Sequence, residues 1–234
     1  MKLANPKELQ KAVDGHLKEM VSQGKLGDYK AKGAAGEAAV MDILHDYRNR
    51  RGGLLYQGFM YPYASDRAGK LYLGNIFWNE ESQSYSDVTR QVNDEIDVLY
   101  ISNNRIFCIE VKSYHIRKAV LTNEWMLREG KKVDKAPTAQ AEKHARHLYH
   151  QLYEVLPDGD PRYIIPVVCF VDRIDKEFDD QRDNEHQFYM PVCPIDQLQA
   201  TILDRDFCDT GYNLDLDAIE KKLKSIQRER TLDD

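Results

Sequence analysis

Two acidic residues and a lysine occupy neighbouring ends of two apolar segments of this sequence. Asp97 lies near the start of the segment 95–101, and Glu110 and Lys112 lie near the end of the segment 106–112. A turn rich in Ser and Asn joins the segments, which predicts a β-hairpin that brings Asp97 close to Glu110. Side chains alternate along a strand, so Glu110 and Lys112 share one face. Burying these charges is costly unless they bind one another or a cation, and oxygen ligands favour Mg²⁺ or Mn²⁺.

A simpler interpretation is that Glu110 and Lys112 pair on the solvent face of an edge strand. The Glu-x-Lys triplet alone favours that interpretation, because short motifs match by chance. The apolar flanks of the triplet indicate a central strand instead, and Asp97 occupies the matching position on the neighbouring strand. Asp94 and Glu95 stand close enough to Asp97 to exchange roles with it.

Composition limits the class of protein. The chain has 234 residues, of which 42% are hydrophobic and 31% charged, values that suit one globular domain. A net charge of −6 argues against coating of nucleic acid by bulk charge, but it is compatible with a nuclease whose acidic site binds metal. The sequence shows no apolar signal core and no segment of membrane-spanning length. The four cysteines lack paired spacing, and Cys108 and Cys169 lie in apolar strand patterns, so we expect buried free thiols and a reducing cytoplasm.

The order of predicted elements indicates an α/β fold with a mixed central sheet flanked by helices. Three parts are expected: an N-terminal helical extension over 1–32, a central domain over 33–195 with a polar insertion at about 64–90, and a C-terminal helical segment over 196–234 packed on the core. Hydrophobic periodicity and helix-start signals predict the following elements: a helix from about Asn5, a loop punctuated by Gly24, Gly27 and Gly33, a helix from about Gly36 to Arg51, strands at 54–63, 163–171 and 188–192 besides the hairpin, and helices at about 139–155, 195–203 and 216–228.

Four segments together resemble the nuclease-related domain (NERD) family, a branch of the PD-(D/E)xK nuclease superfamily. They are 33–37 (Gly-Ala-Ala-Gly-Glu), 95–101, 109–114 and 136–140 (Ala-Pro-Thr-Ala-Gln), and Trp125 fits the aromatic residue between the last two. The resemblance extends over about residues 33–171. The family's usual glycine after the Glu-x-Lys segment is absent, because His-Ile-Arg stands at 115–117, and the insertion at 64–90 is atypical.

The resemblance implies a restriction-endonuclease-like core that binds Mg²⁺ or Mn²⁺. It implies that Asp97 and Glu110 are metal ligands and that Lys112 orients or polarises the attacking water. Glu37 would bind the metal directly or through water, and Gln140 would position water. We also expect a backbone carbonyl near Val111 as a further metal ligand.

Several of these residues have ordinary alternatives. Glu37 could be an acid in the first turn of a helix, favoured by the helix dipole. Gln140 could be an ordinary polar residue of a first turn. His144 and His147 could contact phosphate, although histidines on a solvated helix face are more common. Basic residues that flank the catalytic strand and the Gln140 helix are candidate phosphate contacts, although charge runs are usually just solvated: Arg117, Lys118, Lys131 and Lys132, with His115, Arg128 and Lys135 nearby.

The function predicted from the sequence is a metal-dependent endonuclease, acting on DNA in repair, restriction or defence. A catalytically weak nucleic-acid-binding or assembly module is the alternative, and a metal-dependent enzyme on another phosphate ester is a third. The expected partner is nucleic acid, with a homo-oligomer or a helicase-type partner also open and no membrane partner.

Overall fold

The structure is a computed structural model. It describes residues 28–64, 76–79, 84–87, 91–113, 116–122, 126–128, 130–132, 136–171, 174–207 and 212–228. The helix predicted from Asn5 lies outside the described residues, as do His115, Trp125 and Lys135.

The described part of the chain alternates between strands and helices. The strands are β1 Leu54–Ala64, β2 Ile76–Asn79, β3 Ser84–Asp87, β4 Gln91–Ile101, β5 Ile106–Lys112, β6 Ile116–Leu121, β7 Met126–Arg128, β8 Lys131–Lys132, β9 Ile164–Phe170, β10 Ile174–Asp180 and β11 Val192–Pro194. The α-helices are α1 Asp28–Arg51, α2 Pro137–Leu152, α3 Asn184–Tyr189, α4 Leu198–Arg205 and α5 Leu216–Ile226. Short 3₁₀ helices lie at Tyr153–Val155, Pro157–Gly159, Pro161–Tyr163 and Ile195–Gln197.

A mixed five-stranded sheet with the order β1-β4-β5-β9-β11 forms the centre of the fold. The pairs β1–β4 and β4–β5 are antiparallel, and the pairs β5–β9 and β9–β11 are parallel. The parallel pairing of β5 with β9 requires a crossover connection, which contains α2. Strand β9 is buried along nearly its whole length, as its continuous apolar sequence predicts for a strand covered on both faces.

Helices cover both faces of this sheet. On one face, α1 and α4 pack over a core that includes Val98, Phe107 and Val167. On the other face, α2 and α5 pack over a core that includes Leu99 and Cys108. This arrangement confirms the mixed α/β architecture with a central sheet between helices.

The chain beyond β9 contributes heavily to both cores. Cys193, Ile195, Leu198 and Ile202 complete the core under α1, and Leu214, Ile219 and Leu223 complete the core under α2. Residues of this part also hold the β4–β5 turn. Ser102 Oγ donates to the Asp206 carboxylate, Asn104 Nδ2 lies 3.3 Å from the Asp206 carbonyl oxygen, and the Leu214 amide donates to Asn103 O over 2.7 Å.

A second sheet with the order β10-β6-β7-β8 continues from the end of β5. Strand β6 follows β5 after a short connection and pairs in parallel with β10. Ala119, Leu121 and Met126 of this sheet pack against α2 and β9. The second sheet therefore extends the fold on the side where β5 ends.

The structure corrects several sequence-based expectations. Helix α1 begins at Asp28 and contains Gly33, which was expected in a loop; the open space around Gly33 shows that no close packing depends on it. The strand predicted at 188–192 is wrong, because the Asp183 side chain caps a helix by accepting from the His186 amide, and β11 begins only at Val192. Strand β10 was not predicted, since its polar sequence lacks a strand pattern.

Other expectations are confirmed. The β4–β5 hairpin is present, although β4 begins at Gln91, four residues before the predicted start, so Asp97 lies in the middle of its strand. Cys108 and Cys169 are buried free thiols. Within the described residues, no helix combines the length and apolar character needed to cross a membrane.

Candidate active site

The β1–β4 ladder is irregular where Gly58 and Asp97 stand opposite each other. Regular pairs flank this point on both sides, Gln57 with Val98 and Phe59 with Ile96. Regular alternation would place residues an odd number of positions apart on opposite faces. Yet Ile96 and Leu99 face the same core, and so do Tyr56 and Phe59. The positive φ of 55° at Gly58, a conformation that glycine adopts readily, accommodates this local change of direction.

The irregularity lets the Asp97 carboxylate turn toward β5. Val98 pairs with Ile109, so Asp97 is the next residue opposite Glu110. Its Oδ2 accepts a hydrogen bond of 2.7 Å from the Val111 amide, so the side chain takes the place of a backbone partner at the end of the ladder. The predicted proximity of Asp97 to the Glu-x-Lys segment is therefore present.

Glu110 is almost fully buried, with 4% of its surface exposed. The Lys112 ammonium group donates to its Oε1. Its Oε2 lies 3.2 Å from Nδ1 of His144, but this contact lacks hydrogen-bond geometry and leaves Oε2 without a hydrogen-bond partner in the described structure. A buried carboxylate oxygen in this state retains lone pairs for a further ligand.

Helix α1 approaches the end of β5 through Gly36. A Cβ at this position would overlap Ser113 Oγ and press on Val171, so only glycine permits the observed distance between helix and sheet. The close approach brings the neighbouring Glu37, which is half-buried, within electrostatic range of Asp97.

The charges of the two strand carboxylates differ. Burial, together with the nearby Glu110 and Glu37, raises the pKa of Asp97 to about 7, against the opposing effects of the Val111 amide and Lys112. Burial also acts to raise the pKa of Glu110, but His144 and Lys112 outweigh it, so this pKa lies below its ordinary value. Near neutral pH, Glu110 is thus ionised, whereas Asp97 is partly protonated. A bound cation could take the place of the Asp97 proton.

Comparison with known proteins identifies the family of this chain. The model of a family described as nuclease-related domain matches residues 32–171, more than half of the chain. The chain belongs to the nuclease-related domain family. It is also similar to the crystal structure of protein VC1899 from Vibrio cholerae, at 15% sequence identity and a TM-score of 0.39, over 76% of this chain and 34% of that chain. The chain thus spans about a third of the length of that protein. No curated protein matches it.

Within the nuclease-related domain, a second charged cluster surrounds Asp94. The Asp94 carboxylate lies 2.6 Å from Nδ1 of His147, 3.3 Å from Nε2 of His144 and 3.3 Å from the Lys143 ammonium group. Burial acts to raise the pKa of Asp94, but the two histidines outweigh it and hold this pKa well below its usual range. Asp94 is therefore a permanent anion at neutral pH.

The two histidines respond to this anion differently. Burial acts to lower the pKa of His144, but Asp94 and Glu110 outweigh it and raise this pKa to about 9. For His147, burial dominates and lowers the pKa despite the contact with Asp94.

This cluster was missed in the sequence. His144 and His147 were expected on a solvated face, whereas the His144 side chain is 11% exposed and the His147 side chain 2% exposed. The available signals were their helical spacing and the position of Asp94, one strand segment before Asp97. Neither signal shows that α2 packs against the ends of β4 and β5.

The remaining predicted residues occupy two regions. Gln140 is half-buried in the first turn of α2, one helical turn before His144. The candidate phosphate contacts lie in the second sheet, with Arg117 and Lys118 in β6, and Lys131, which is exposed, and Lys132 in β8.

The donors fit a hard cation only partially. In the part of the chain that the structure describes, no group of three or more His, Cys, Asp or Glu side chains is arranged to hold a metal ion. Asp97 and Glu110 nevertheless offer two carboxylates on adjacent strands, and the Oε2 of Glu110 lacks a hydrogen bond. Mg²⁺ commonly takes one or two carboxylates and keeps several waters, so such a pair suffices for an open site.

A separate cleft of about 710 Å³ is lined by residues of α3, β11 and α4. Its arginines are already engaged. Arg182 pairs with Asp180 and donates to Met190 O, and Arg205 stacks on Phe188. None of the residues that line this cleft belongs to the site that contains Asp97, Glu110 and Lys112.

Proposed function

We propose that this chain is a metal-dependent nuclease that hydrolyses phosphodiester bonds in DNA, with Mg²⁺ or Mn²⁺ as its cofactor and a restriction-endonuclease-like core. One observation carries the proposal. Asp97, in the middle of β4, and Glu110, near the end of β5, lie opposite each other where the pairing of the two strands ends, with Lys112 paired to Glu110, inside the nuclease-related domain.

The reaction requires a neutralised phosphate charge and a strong nucleophile. A divalent ion supplies both, because it polarises phosphoryl oxygens and lowers the pKa of bound water. Asp97 and Glu110 are the residues that would hold this ion, with Glu37 contributing directly or through water and the Val111 carbonyl as a further ligand. The crowding of Asp97 by Glu110 and Glu37 supports this assignment, since a cation relieves their mutual repulsion.

Lys112 acts beside the carboxylates as a cation. Its ammonium group donates to Glu110 and can turn the remaining hydrogens toward the attacking water or the phosphate. We therefore assign Lys112 the role of orienting and polarising the attacking water. Gln140, in the first turn of α2, assists by positioning water.

The nucleic acid must be held locally, because the whole chain carries a net charge of −6. Arg117, Lys118, Lys131 and Lys132 are the proposed phosphate contacts. The double variant Lys131→Glu/Lys132→Glu should weaken DNA binding and reduce the salt slope by roughly one unit for each lost contact. Unchanged binding across salt concentrations would move the substrate groove elsewhere.

A second candidate is a nucleic-acid-binding or assembly module with little turnover. It is favoured by the absence, among the described residues, of a cluster of three metal-binding side chains. In this version Lys112 simply neutralises Glu110. For both candidates we propose a cytoplasmic location. Both are compatible with a homo-oligomer or with a helicase-type partner.

A cleavage assay separates the two candidates. The chain is incubated with Mg²⁺ or Mn²⁺ and with supercoiled, linear or single-stranded DNA, and with RNA of matched length. Cleavage that requires the ion, vanishes in Glu110→Gln and persists in Glu142→Gln supports the nuclease, because Glu142 is an exposed carboxylate on α2. Binding without cleavage supports the module.

A further inference from the structure

His144 stands between two carboxylates that come from adjacent strands. Its Nδ1 lies 3.2 Å from Oε2 of Glu110 on β5, and its Nε2 lies 3.3 Å from Oδ1 of Asp94 on β4. Both ring nitrogens thus face a carboxylate, so neither is open to take a proton from water. A role for His144 as a general base is therefore excluded in this arrangement.

His144 is held through its backbone as well as through its ring. The Tyr61 hydroxyl donates to the His144 backbone carbonyl over 3.2 Å, which ties β1 to this turn of α2. On the ring side, Asp94 is itself held by Nδ1 of His147 at 2.6 Å and by the Lys143 ammonium group at 3.3 Å. Asp94 therefore has little freedom, and it determines where the His144 ring lies.

Glu110 depends on this support because it has few other partners. Lys112 holds Oε1, and His144 provides the close contact to Oε2. The contact is electrostatic and steric and leaves the lone pairs of Oε2 free of a hydrogen bond. Such a neighbour orients a carboxylate without consuming its capacity to bind a ligand.

We propose that His144 and Asp94 are positioning residues that hold the Glu110 carboxylate in the orientation the site requires. The proposal rests on the proposed function for its consequence in catalysis, but the orientation of Glu110 is a property of the chain alone. Groups of this kind around metal-binding side chains typically change affinity or activity by about 10- to 100-fold when removed.

The first experiment compares crystal structures of the wild type and His144→Ala. The Glu110 carboxylate should change its side-chain rotamer or split into alternatives in His144→Ala and should keep its orientation in the control His150→Ala, which alters a histidine farther along the same helix. An unchanged Glu110 in His144→Ala would overturn the proposal. Should His144→Ala fail to fold, His144→Gln takes its place, because its single donor nitrogen cannot reproduce the contacts of both ring nitrogens. A Glu110 rotamer in His144→Gln unchanged from the wild type would then overturn the proposal.

The second experiment measures Mn²⁺ binding by calorimetry and cleavage of DNA under single-turnover and steady-state conditions. We expect His144→Ala to weaken Mn²⁺ binding and kcat by about 10- to 100-fold with little change in KM for DNA, and His144→Gln to recover part of the loss. Tighter Mn²⁺ binding in His144→Ala would mean that the ring competes with the ion, and this result would also overturn the proposal. If the wild type does not cleave, the proposed function fails while the crystal structures still decide the role of His144.

Discussion

Asp94 and Asp97 lie on the same strand and face opposite kinds of neighbour. Asp94 is surrounded by His144, His147 and Lys143, whereas Asp97 is close to Glu110 and Glu37. The pKa of Asp94 is held well below its usual range and that of Asp97 is raised to about 7. The comparison teaches that the charge of Asp94 is balanced by neighbouring cationic and histidine side chains. The charge of Asp97 is opposed by neighbouring carboxylates, and a bound cation would balance it.

The largest effect is expected when Asp97 loses its charge. Asp97→Asn should reduce cleavage by roughly 1000-fold, equivalent to about 4 kcal/mol, because an amide binds a divalent ion poorly. The same variant should unfold at an equal or higher temperature without metal, since an amide oxygen can still accept from Val111 and the repulsion with Glu110 disappears. Measurements of single-turnover cleavage and thermal unfolding check both parts.

A clear loss of stability in metal-free Asp97→Asn would contradict this comparison. It would mean that the ionised Asp97 carboxylate stabilises the fold, as Asp94 is expected to do.

Asp94→Asn should show the reverse pattern, with its main effect on folding. Loss of the buried anion removes a carboxylate that His144, His147 and Lys143 all face, and should lower the free energy of unfolding by about 3 kcal/mol. Because the pKa of Asp94 is depressed in the fold, this contribution is present above its unfolded pKa of about 4 and disappears as the pH falls. Urea unfolding at neutral and acidic pH measures it.

The matched control for this prediction is Asp46→Asn on α1, an exposed aspartate, which should change stability by less than about 0.5 kcal/mol. Equal stability of Asp94→Asn and Asp46→Asn would show that the cluster around Asp94 contributes nothing to folding.

A smaller effect concerns the pH dependence of metal binding. The raised pKa of Asp97 means that the fold favours its protonated form, so an ion must displace a proton below about pH 7. Mn²⁺ affinity should rise about tenfold per pH unit below 7 and level off above it. Calorimetric titration in buffers of different ionisation enthalpy measures the released protons. A flat profile from about pH 5.5 to about pH 8, on both sides of the Asp97 pKa of about 7, would contradict the assignment.

The smallest effect is expected at Gly58, which lies opposite Asp97. Gly58→Ala forces a side chain into a left-handed conformation at φ 55° and should lower the free energy of unfolding by about 1–2 kcal/mol. It should also weaken Mn²⁺ binding, because the local change of direction in β4 depends on this residue. Gly33→Ala is the matched control, since Gly33 lies in a helix with open space around it and alanine there should be neutral or stabilising.

Those parts of the site whose residues lie close together in the sequence could be predicted from it. The β4–β5 hairpin could be predicted because alternation and a polar turn place Asp97 beside Glu110 without information from elsewhere. The start of α1 could not, because Gly24, Gly27 and Gly33 read as loop residues and helix propensity is only a weak guide. The face of α2 that packs on the sheet was partly predictable, since its apolar residues repeat with helical spacing.

The contacts that hold Glu110 in place could not be predicted from local sequence patterns. His144 meets Asp94 only after β4 and α2 have packed together, and no spacing in the sequence encodes that contact. The conformation of Gly58 is equally hidden, because a glycine in a strand pattern fits a bulge, a bend or a simple weak point. Long-range packing therefore decides which acidic residue is satisfied and which is left incomplete.

The segment beyond β9 limits how far the chain can be truncated from its C-terminal side without loss of the folded structure. The nuclease-related match ends at residue 171. Residues from β11 onward nevertheless cover apolar surface on both faces of the central sheet, and Asp206 and Leu214 hydrogen-bond to the β4–β5 turn. A fragment cut at that boundary would retain every proposed catalytic residue. It would also expose the apolar surface that the later residues cover on each face of the sheet, and it should aggregate when expressed. The segment that matches the family is thus shorter than the segment that builds the two hydrophobic cores.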